Sequence, residues 1–444
     1  MAKAGSGKEL LVKFYDDGVY TTLFAQADST VTAAFGSANG QPVYAVCQSG
    51  AAVSAADVEN AVRTLELAAK TGNPVVTFYD SCGARLEEGL AALSASAKLT
   101  AAVAKISGVV PQIAVVTGVC GATSALAAAG ADVCIMSRDA ELFLTAPFTS
   151  AAAGDKLEDA GSAEFAARAG VASLVADTAE DAAAKAAALI GMLPANNLAG
   201  PAMFEPSEPA GKLDLTKYDA MEAVASFADG GSVTALYEGY GKKVVTALAT
   251  VSGNVAGFVA TAAEGTLCKN CVAKAARFVR LCDAFGIPVV TLVNTDGFAK
   301  SSSEDAAGGL REAARLAGTY ADATTAKVAV VTGKAVGAAY TAFAGADLTI
   351  AVNGCTIAPV EPSAAVSVLY KDELEAGSSI AADTQKKAAA YAAEVCGADA
   401  AVAAGVADFA ADAADARAVL VAALDMLSTK RTQRLPKKHG NMSL

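Results

Sequence analysis

The 444-residue sequence contains no tryptophan, and only 6% of its residues are aromatic. It has a single histidine, His439, close to its C-terminal end. The core must therefore be packed mainly from Ala, Val, Leu and Ile, with many contacts between small side chains. A Ser–His or Cys–His catalytic pair in the core is excluded, because both arrangements need a histidine.

Basic residues are also comparatively few. The chain has 34 Lys and Arg against 46 Asp and Glu, which gives a formal net charge of −12. An acidic balance argues against nucleic-acid binding, which depends on neutralising phosphates. Hydrophobic residues make up 54% of the chain and charged residues 18%, so we expect a folded protein rather than a disordered one.

The sequence shows no secretory signal and one long uncharged stretch. Residues 1–8 lead into a mixed, charged segment without an apolar region. Residues 106–131 carry no charge and are long enough to cross a bilayer, but they contain Pro111 and several glycines. We therefore predict a buried strand–turn–helix there and a cytoplasmic protein.

Nine cysteines are scattered along the chain, which is typical of proteins from a reducing compartment. Only Cys268 and Cys271 form a Cys-X-X-Cys pair. A structural zinc site usually needs a second such pair or two histidines, so we predict no metal site. The role of this pair is left open by the sequence.

The chain contains an internal duplication. AVVTG at 114–118 recurs at 329–333, NPVVT at 73–77 aligns with IPVVT at 287–291, and the offset stays between 213 and 215 residues. A proline-rich segment separates the two copies and is typical of a linker. We predict an N-terminal domain over 1–196, a linker over 197–217 and a C-terminal domain over 218–444.

Each copy alternates short apolar strands with helices, which predicts an α/β fold with helices covering the sheet. Strands are expected at residues 74–79 and 288–293, and helices at 56–69 and 272–284.

Two small-residue turns are the first candidate sites. Residues 118–125 and 333–340 each follow a predicted strand and lead into a predicted helix. Such a turn lets a substrate oxygen approach unpaired main-chain N–H groups, which is the geometry of an oxyanion hole. The alternative is a purely structural turn in which only small side chains fit.

A polar loop at residues 80–89 is the second candidate. It follows a buried strand, a position where α/β proteins often bind ligands. Arg85, Glu87 and Glu88 could be catalytic there, or they could be a charge cluster at the start of a helix. Without a substrate pose we favour the charge cluster.

Several segments resemble a known family. DSCGARLEEG at 80–89 resembles the family motif DSGGARIQEG, SGVVPQI at 107–113 matches SGVVPQI, and KAARFVRLCDAF at 274–285 is similar to KAARFIRFCDAF. KAVGAAY at 334–340 resembles KAYGGAY, and KKHGNMSL at 437–444 resembles KKHGNIPL. The family is that of the carboxyltransferase subunits of biotin-dependent acyl-CoA carboxylases and decarboxylases, including sodium-pumping decarboxylases.

The resemblance implies tandem crotonase-like domains, each a ββα superhelix, and an active site between the first half of one subunit and the second half of another. It implies that main-chain amides of Ala122 and Thr123, and of Ala338 and Ala339, hold developing negative charge, with no metal. In this family the first turn is usually Gly-Gly. The substrate-binding positions it implies are Ser81, Cys82, Gly83, Gly118, Gly121, Gly337 and Thr341, the last of them lining the acyl pocket.

The resemblance also implies cofactors and partners. The substrate would be a coenzyme A thioester, and biotin would arrive on a biotin carboxyl carrier protein, because the chain has no Ala-Met-Lys-Met motif. A biotin carboxylase or a membrane sodium-pump subunit are further candidate partners, the latter giving membrane association. The chain would form a homodimer or a trimer of dimers.

Two alternatives stay open at this point. One is a crotonase-type enoyl-CoA hydratase or isomerase with Glu87 or Glu88 as its base. The other is a non-catalytic scaffold subunit of a carboxylase or decarboxylase complex, in which a basic tail that includes Lys430 and Lys438 docks a partner.

Overall fold

The computed structural model describes residues 7–155, 158–263, 265–343, 345–377, 379–432, 435–438 and 440–441. His439 and Arg434, in the predicted basic tail, lie outside these residues. The chain divides into two compact units. Unit 1 comprises residues 1–202 and 237–240, and unit 2 comprises 203–236 and 241–444.

Unit 1 is a mixed seven-stranded sheet with helices packed on it. Its strands are β1 (Tyr20–Leu23), β2 (Val31–Ala38), β3 (Gln41–Gln48), β4 (Val75–Tyr79), β5 (Gln112–Val116), β6 (Val119–Gly121), β7 (Val133–Ser137), β8 (Glu141–Phe143) and β9 (Leu174–Ala176). Its helices are α1 (Gly7–Phe14), α2 (Ala55–Thr71), α3 (Leu90–Ile106), α4 (Thr123–Ala129), α5 (Pro147–Ala152), α6 (Ala163–Arg168) and α7 (Ala179–Met192). The sheet order is β1-β2-β3-β4-β5-β7-β9, and β6 pairs with β8 separately.

Unit 2 repeats this arrangement. Its strands are β10 (Thr234–Leu236), β11 (Val244–Val251), β12 (Asn254–Thr261), β13 (Val289–Val293), β14 (Lys327–Val331), β15 (Lys334–Val336), β16 (Leu348–Val352), β17 (Thr356–Ala358) and β18 (Phe409–Ala411). Its helices are α8 (Ala220–Phe227), α9 (Lys269–Ala284), α10 (Ser302–Ala306), α11 (Gly309–Asp322), α12 (Ala338–Phe343), α13 (Pro362–Leu369), α14 (Lys371–Ala376), α15 (Ile380–Val395), α16 (Ala398–Ala403) and α17 (Ala416–Leu427). The order β10-β11-β12-β13-β14-β16-β18 matches unit 1 strand for strand, and β15 pairs with β17 as β6 does with β8.

The duplicated α/β architecture predicted from the repeats is therefore confirmed. In both units the first three strands pair antiparallel and the remaining strands of the sheet pair parallel. Strands β5 and β14 are buried along their whole length, as expected of parallel strands covered on both faces. The helices α2 and α9 include the predicted helices at 56–69 and 272–284.

Two polar residues on the central strands have the same structural role. The ammonium group of Lys327 in β14 donates to the carbonyls of Tyr320 (2.6 Å) and Ala323 (2.7 Å), where α11 ends. The amide of Gln112 in β5 donates to the carbonyl of Val103 in α3 at 3.1 Å. Both side chains satisfy carbonyl groups near a helix C-terminus, which otherwise lack intrahelical donors.

The uncharged stretch at 106–131 forms the end of α3, then β5, β6 and α4, so the predicted strand–turn–helix is confirmed. Within the ranges that the structure describes, no helix is both long and apolar enough to cross a membrane.

The division between the units at residue 202 falls inside the predicted linker. Residues 237–240 lie with unit 1, where the N–H of Tyr237 donates to the carbonyl of Ser173 at 2.7 Å, and no sequence pattern indicated this.

Candidate active site

The turn between β6 and α4 in unit 1 has the same backbone geometry as the turn between β15 and α12 in unit 2. Ala122 has a φ of +50° and Gly337 a φ of +55°. The N–H of Ala122 donates to the carbonyl of Phe143, and that of Gly337 to the carbonyl of Ala358, both at 2.9 Å. The two turns are therefore structurally equivalent, with Ala122 matching Gly337.

This equivalence corrects one predicted donor. The N–H of Ala122 already has a protein acceptor, so it is not free to hold a substrate oxygen. The positions that match Ala338 and Ala339 are Thr123 and Ser124. Thr123 and Ser124 begin α4, and Ala338 and Ala339 begin α12. The first N–H groups of a helix have no acceptor within the helix.

A cavity of about 210 Å³ opens at the turn of unit 1. Its walls come from four parts of the unit: the end of β3, the start of α2, one face of α3, and the loop after β4. The lining residues are Gln48, Val53, Ser54, Ala55, Val58, Ser81, Gly83, Ala84, Ala92, Ser96, Leu99, Gly121, Ala122, Thr123 and Ser124.

Part of the predicted site is brought together in this cavity. Ser81, Gly83, Gly121, Ala122 and Thr123 all line it. The sequence reasoning missed the contributions of α2 and α3. The Ser54-X-X-Asp57 capping pattern would have indicated that a helix begins here, but the position of this helix start beside the cavity is known only from the structure.

The loop after β4 is held by its own hydrogen bonds. The hydroxyl of Ser81 donates to the carbonyl of Ala51 (3.1 Å) and accepts from the N–H of Gly83 (3.0 Å). Gly83 has a φ of +112°, which a side chain would strain. Unit 2 repeats the arrangement, because Thr295 accepts from the N–H of Gly297 at 3.2 Å.

A glycine lies between β5 and β6, and another between β14 and β15, because a neighbouring side chain leaves no room for a Cβ there. A Cβ on Gly118 would lie 2.0 Å from Oδ1 of Asp80, and one on Gly333 would lie 2.2 Å from the amide of Asn294. Oδ1 of Asp80 accepts from the N–H of Val119 at 3.3 Å. Gly118 therefore packs against the side chain of Asp80 and does not line the cavity.

Glu88 has a structural role in this geometry. Its carboxylate accepts from the N–H of Ala55 (2.6 Å), the first residue of α2. In unit 2 the carboxylate of Glu304 accepts from the N–H of Lys269, the first residue of α9. A negative charge stabilises a helix N-terminus, so the pair favours the charge-cluster interpretation of this segment over a catalytic base. Glu87 is exposed.

The site loops differ in their charge. In unit 2, Lys334 donates to Asp296 at 2.9 Å. The hydrogen bond from Lys334 lowers the pKa of Asp296, and the same bond raises the pKa of Lys334. This ion pair was not predicted, because it joins residues 38 positions apart.

The remaining predicted residues lie at the surface of their turns. Cys82 is exposed beside Ser81. Thr341 is exposed, and its hydroxyl donates to the carbonyl of Gly337 at 3.2 Å. Among the described residues no group of three or more His, Cys, Asp or Glu side chains could hold a metal ion.

The chain matches known proteins over nearly its whole length, both in sequence and in structure. A family model described as the carboxyl transferase domain matches residues 13–442. The methylmalonyl-CoA carboxyltransferase 12S subunit of Propionibacterium freudenreichii subsp. shermanii is 34% identical over 95% of this chain and 86% of its own length. The methylmalonyl-CoA decarboxylase subunit alpha of Veillonella parvula is 29% identical over 99% of this chain and 93% of its own length.

A solved structure supports the same relationship. The crystal structure of transcarboxylase 12S, a hexamer with methylmalonyl-CoA and methylmalonic acid bound, superimposes with a TM-score of 0.93. It is 31% identical to this chain and covers 99% of it and 92% of its own chain.

Proposed function

The chain belongs to the carboxyl transferase family and is a biotin-dependent acyl-CoA carboxyltransferase subunit, and we propose that main-chain amides at its two equivalent turns hold the charge that develops during transfer. The reaction would move a carboxyl group between biotin and the α-carbon of a short-chain acyl-CoA. This proposal rests on one observation. Thr123 and Ser124 begin the helix after one turn at the same positions as Ala338 and Ala339 after the other, and the unit 1 pair lines a cavity.

The site of unit 1 offers hydrogen-bond donors and no histidine. Removing a carboxyl group from the α-carbon of a thioester, or adding one, passes through an enolate whose oxygen carries negative charge. The N–H groups of Thr123 and Ser124 are the donors that such an oxygen needs, and an oxyanion hole requires no side-chain base. Ala338 and Ala339 would serve the second reactant in the same way.

The size of the cavity fits this role. At about 210 Å³ it is smaller than the roughly 300–1,000 Å³ of sites that enclose a drug-sized ligand. It would therefore accept the reacting end of a thioester, with the rest of the coenzyme outside. Biotin, when delivered by a carrier protein, supplies the ureido nitrogen that carries the carboxyl group.

Several finer features belong to the same proposal. The carrier would be a separate biotin carboxyl carrier protein, and a biotin carboxylase or a sodium-pump membrane subunit would complete the complex. Transfer in the decarboxylase direction is equally compatible with the site, since the same amides stabilise the enolate in either direction. The chain would act as a homo-oligomer.

The proposal is tested with purified protein, free biotin, and malonyl-CoA or methylmalonyl-CoA, without ATP. Ala338→Pro removes one N–H at the first position of α12, where proline is tolerated in a helix. We expect transfer to fall about 10²–10³-fold, as for loss of one oxyanion-hole donor. Ala338→Ser keeps the N–H and should keep most of the activity.

Thr123→Pro and Thr123→Val repeat this comparison in unit 1. We expect the Pro variant to lose transfer activity and the Val variant, which keeps the N–H, to retain most of it. Equal activity in a folded Pro variant and its amide-bearing control would contradict the assignment of that turn.

The same preparation separates the alternatives. A hydratase would hydrate an enoyl-CoA without biotin and would lose activity in Glu88→Gln. A scaffold subunit would show no turnover in either assay while still binding the carrier protein. Under our proposal Glu88→Gln mainly lowers stability, by about 0.3–1 kcal/mol, because the carboxylate caps α2.

A further inference from the structure

The two repeats differ at the N-terminus of one pair of equivalent helices. In unit 1, Ser54 and Asp57 form a capping box: the hydroxyl of Ser54 accepts from the N–H of Asp57 (3.0 Å), and the carboxylate of Asp57 accepts from the N–H of Ser54 (3.1 Å). In unit 2 the matching positions of α9 are Cys268 and Cys271, and the side chain of Cys268 makes no capping hydrogen bond. A stabilising polar pair is thus replaced by two thiols.

The two thiols are in contact. Their sulfur atoms lie 3.2 Å apart, close enough to share a hydrogen bond. Cys268 is partly exposed, whereas Cys271 is 1% exposed. The backbone of Gly241 packs against Cys271, since a Cβ at that glycine would lie 2.9 Å from Cα of Cys271. One thiol is therefore accessible from solvent and the other is shielded directly behind it.

We propose that Cys268 and Cys271 form a reversible disulfide site, which exchanges with low-molecular-weight disulfides. Cys268, as its thiolate, attacks one sulfur of the small disulfide, and one small thiolate leaves. Cys271 then loses its proton, and its sulfur attacks the sulfur of Cys268 and displaces the second small thiolate. One protein S–S bond replaces the S–S bond of the small disulfide, and two electrons pass from the cysteine pair to that molecule.

The roles of the two cysteines follow from their burial. Small disulfides can reach Cys268, while Cys271 can reach only the sulfur that is already beside it. Burial, followed by the interaction with Cys268, raises the pKa of Cys271 to about 11. A thiol of this kind is a poor nucleophile towards solvent, and its reaction depends on the proximity of Cys268.

The pair lies next to the site loop of unit 2. Leu267, which precedes Cys268, donates its N–H to the carbonyl of Gly297 at 2.8 Å, and its carbonyl accepts from the N–H of Ala299 at 3.0 Å. Oxidation would change the backbone at the start of α9 and, through Leu267, the loop that carries Asp296. That this loop contributes to catalysis rests on the proposed function, whereas formation of the disulfide does not.

The test uses the full chain in buffers of reduced and oxidised glutathione, followed by acid quenching, alkylation and peptide mass spectrometry. We expect the peptide that contains both residues to lose two hydrogens and to resist alkylation, and reducing agent to restore it. Cys82, exposed but without a neighbouring thiol among the described cysteines, serves as the internal control. It should form only a mixed disulfide with glutathione.

Two variants make the order of the steps visible. Cys271→Ala should trap glutathione on Cys268, and Cys268→Ser, which restores the hydroxyl found at Ser54, should leave Cys271 reduced. The proposal is overturned if wild-type Cys268 accumulates as a stable glutathione adduct, or if the pair stays reduced while Cys82 reacts. Mass spectrometry detects the disulfide and the glutathione adducts whether or not the protein transfers carboxyl groups.

Discussion

At the residue scale, Ala122 and Gly337 occupy one backbone position in two copies of a turn. A positive φ costs little for glycine but strains alanine by about 1–3 kcal/mol. Ala122 adopts this conformation because its N–H is fixed by the carbonyl of Phe143 and because α4 follows at once. The sequence could not place the free donors, since only the hydrogen bonds show which amide of the turn is already used.

The first prediction exchanges the residues between the turns. Ala122→Gly should stabilise the protein by about 0.5–1 kcal/mol, because relief of strain exceeds the added entropy of the unfolded chain. Gly337→Ala should destabilise it by about 1–3 kcal/mol, and its Cβ would lie 3.0 Å from the carbonyl of Pro359. Urea unfolding midpoints of both variants measure the effect, and shifts of the same sign would contradict the equivalence of the two turns.

A second prediction concerns the contact behind the cavity. Gly118→Ala places a Cβ against the carboxylate of Asp80 and should cost about 1–3 kcal/mol while lowering carboxyl transfer. Gly211→Ala is the matched control, because no atom lies within 4 Å of its added Cβ. In an Asp80→Ala background the cost of Gly118→Ala should shrink, and a strictly additive double mutant would show that the two residues do not clash.

At the scale of elements, the N-terminus of α2 holds its buried carboxylate by hydrogen bonds. Burial alone would raise the pKa of Asp57, but hydrogen bonds from Ser29, Ser54 and Thr30 outweigh it and lower that pKa. A lowered pKa in the folded state means that the contribution to stability is complete above the unfolded value of about 3.9. It is lost as the pH falls through the folded value.

Asp57→Asn should therefore destabilise the protein by about 1–2 kcal/mol at neutral pH, through loss of a charged cap. The difference from wild type should shrink as the pH falls below about 4, because the carboxyl group then binds a proton in the unfolded chain while the folded state still holds it ionised. Urea midpoints between pH 7 and pH 3 measure this, with the exposed Glu205→Gln as control. If the difference in stability between wild type and Asp57→Asn stayed constant over this range, the charge of Asp57 would not be what stabilises the helix start.

The elements themselves differ in how far sequence could predict them. Mostly apolar segments such as β13 and β14 are visible in the sequence, because a strand covered on both faces is built largely from apolar residues. The three-residue strands β6 and β15 carry no such pattern, since their pairing with β8 and β17 is decided by the tertiary fold. These short strands set the register of the two turns, in which Ala122 corresponds to Gly337.

At the scale of the whole molecule, the duplication could be recognised because segments of the first half recur in the second half at nearly the same offset. What the repeats cannot show is where they differ in function. The sequence already pairs the loop at Asp80 with that at Asn294, whereas Ser54 and Asp57 become comparable with Cys268 and Cys271 only once the hydrogen bonds at the two helix starts are known. The two copies share one sheet order, and they differ at the helix starts and loops around the turns and in the helices α13 to α15, which stand where the described residues of unit 1 form only α5.

The last prediction follows from each unit having its own core. Leu65 on α2 is buried in the core of unit 1, and Leu420 on α17 in that of unit 2. Leu65→Ala and Leu420→Ala should each cost about 2–5 kcal/mol. Because each cavity forms in only one core, hydrogen exchange should speed up in peptides of the mutated unit and stay close to wild type in the other. Exchange that rose equally throughout the chain in both variants would show that the duplicated units unfold as a single cooperative body.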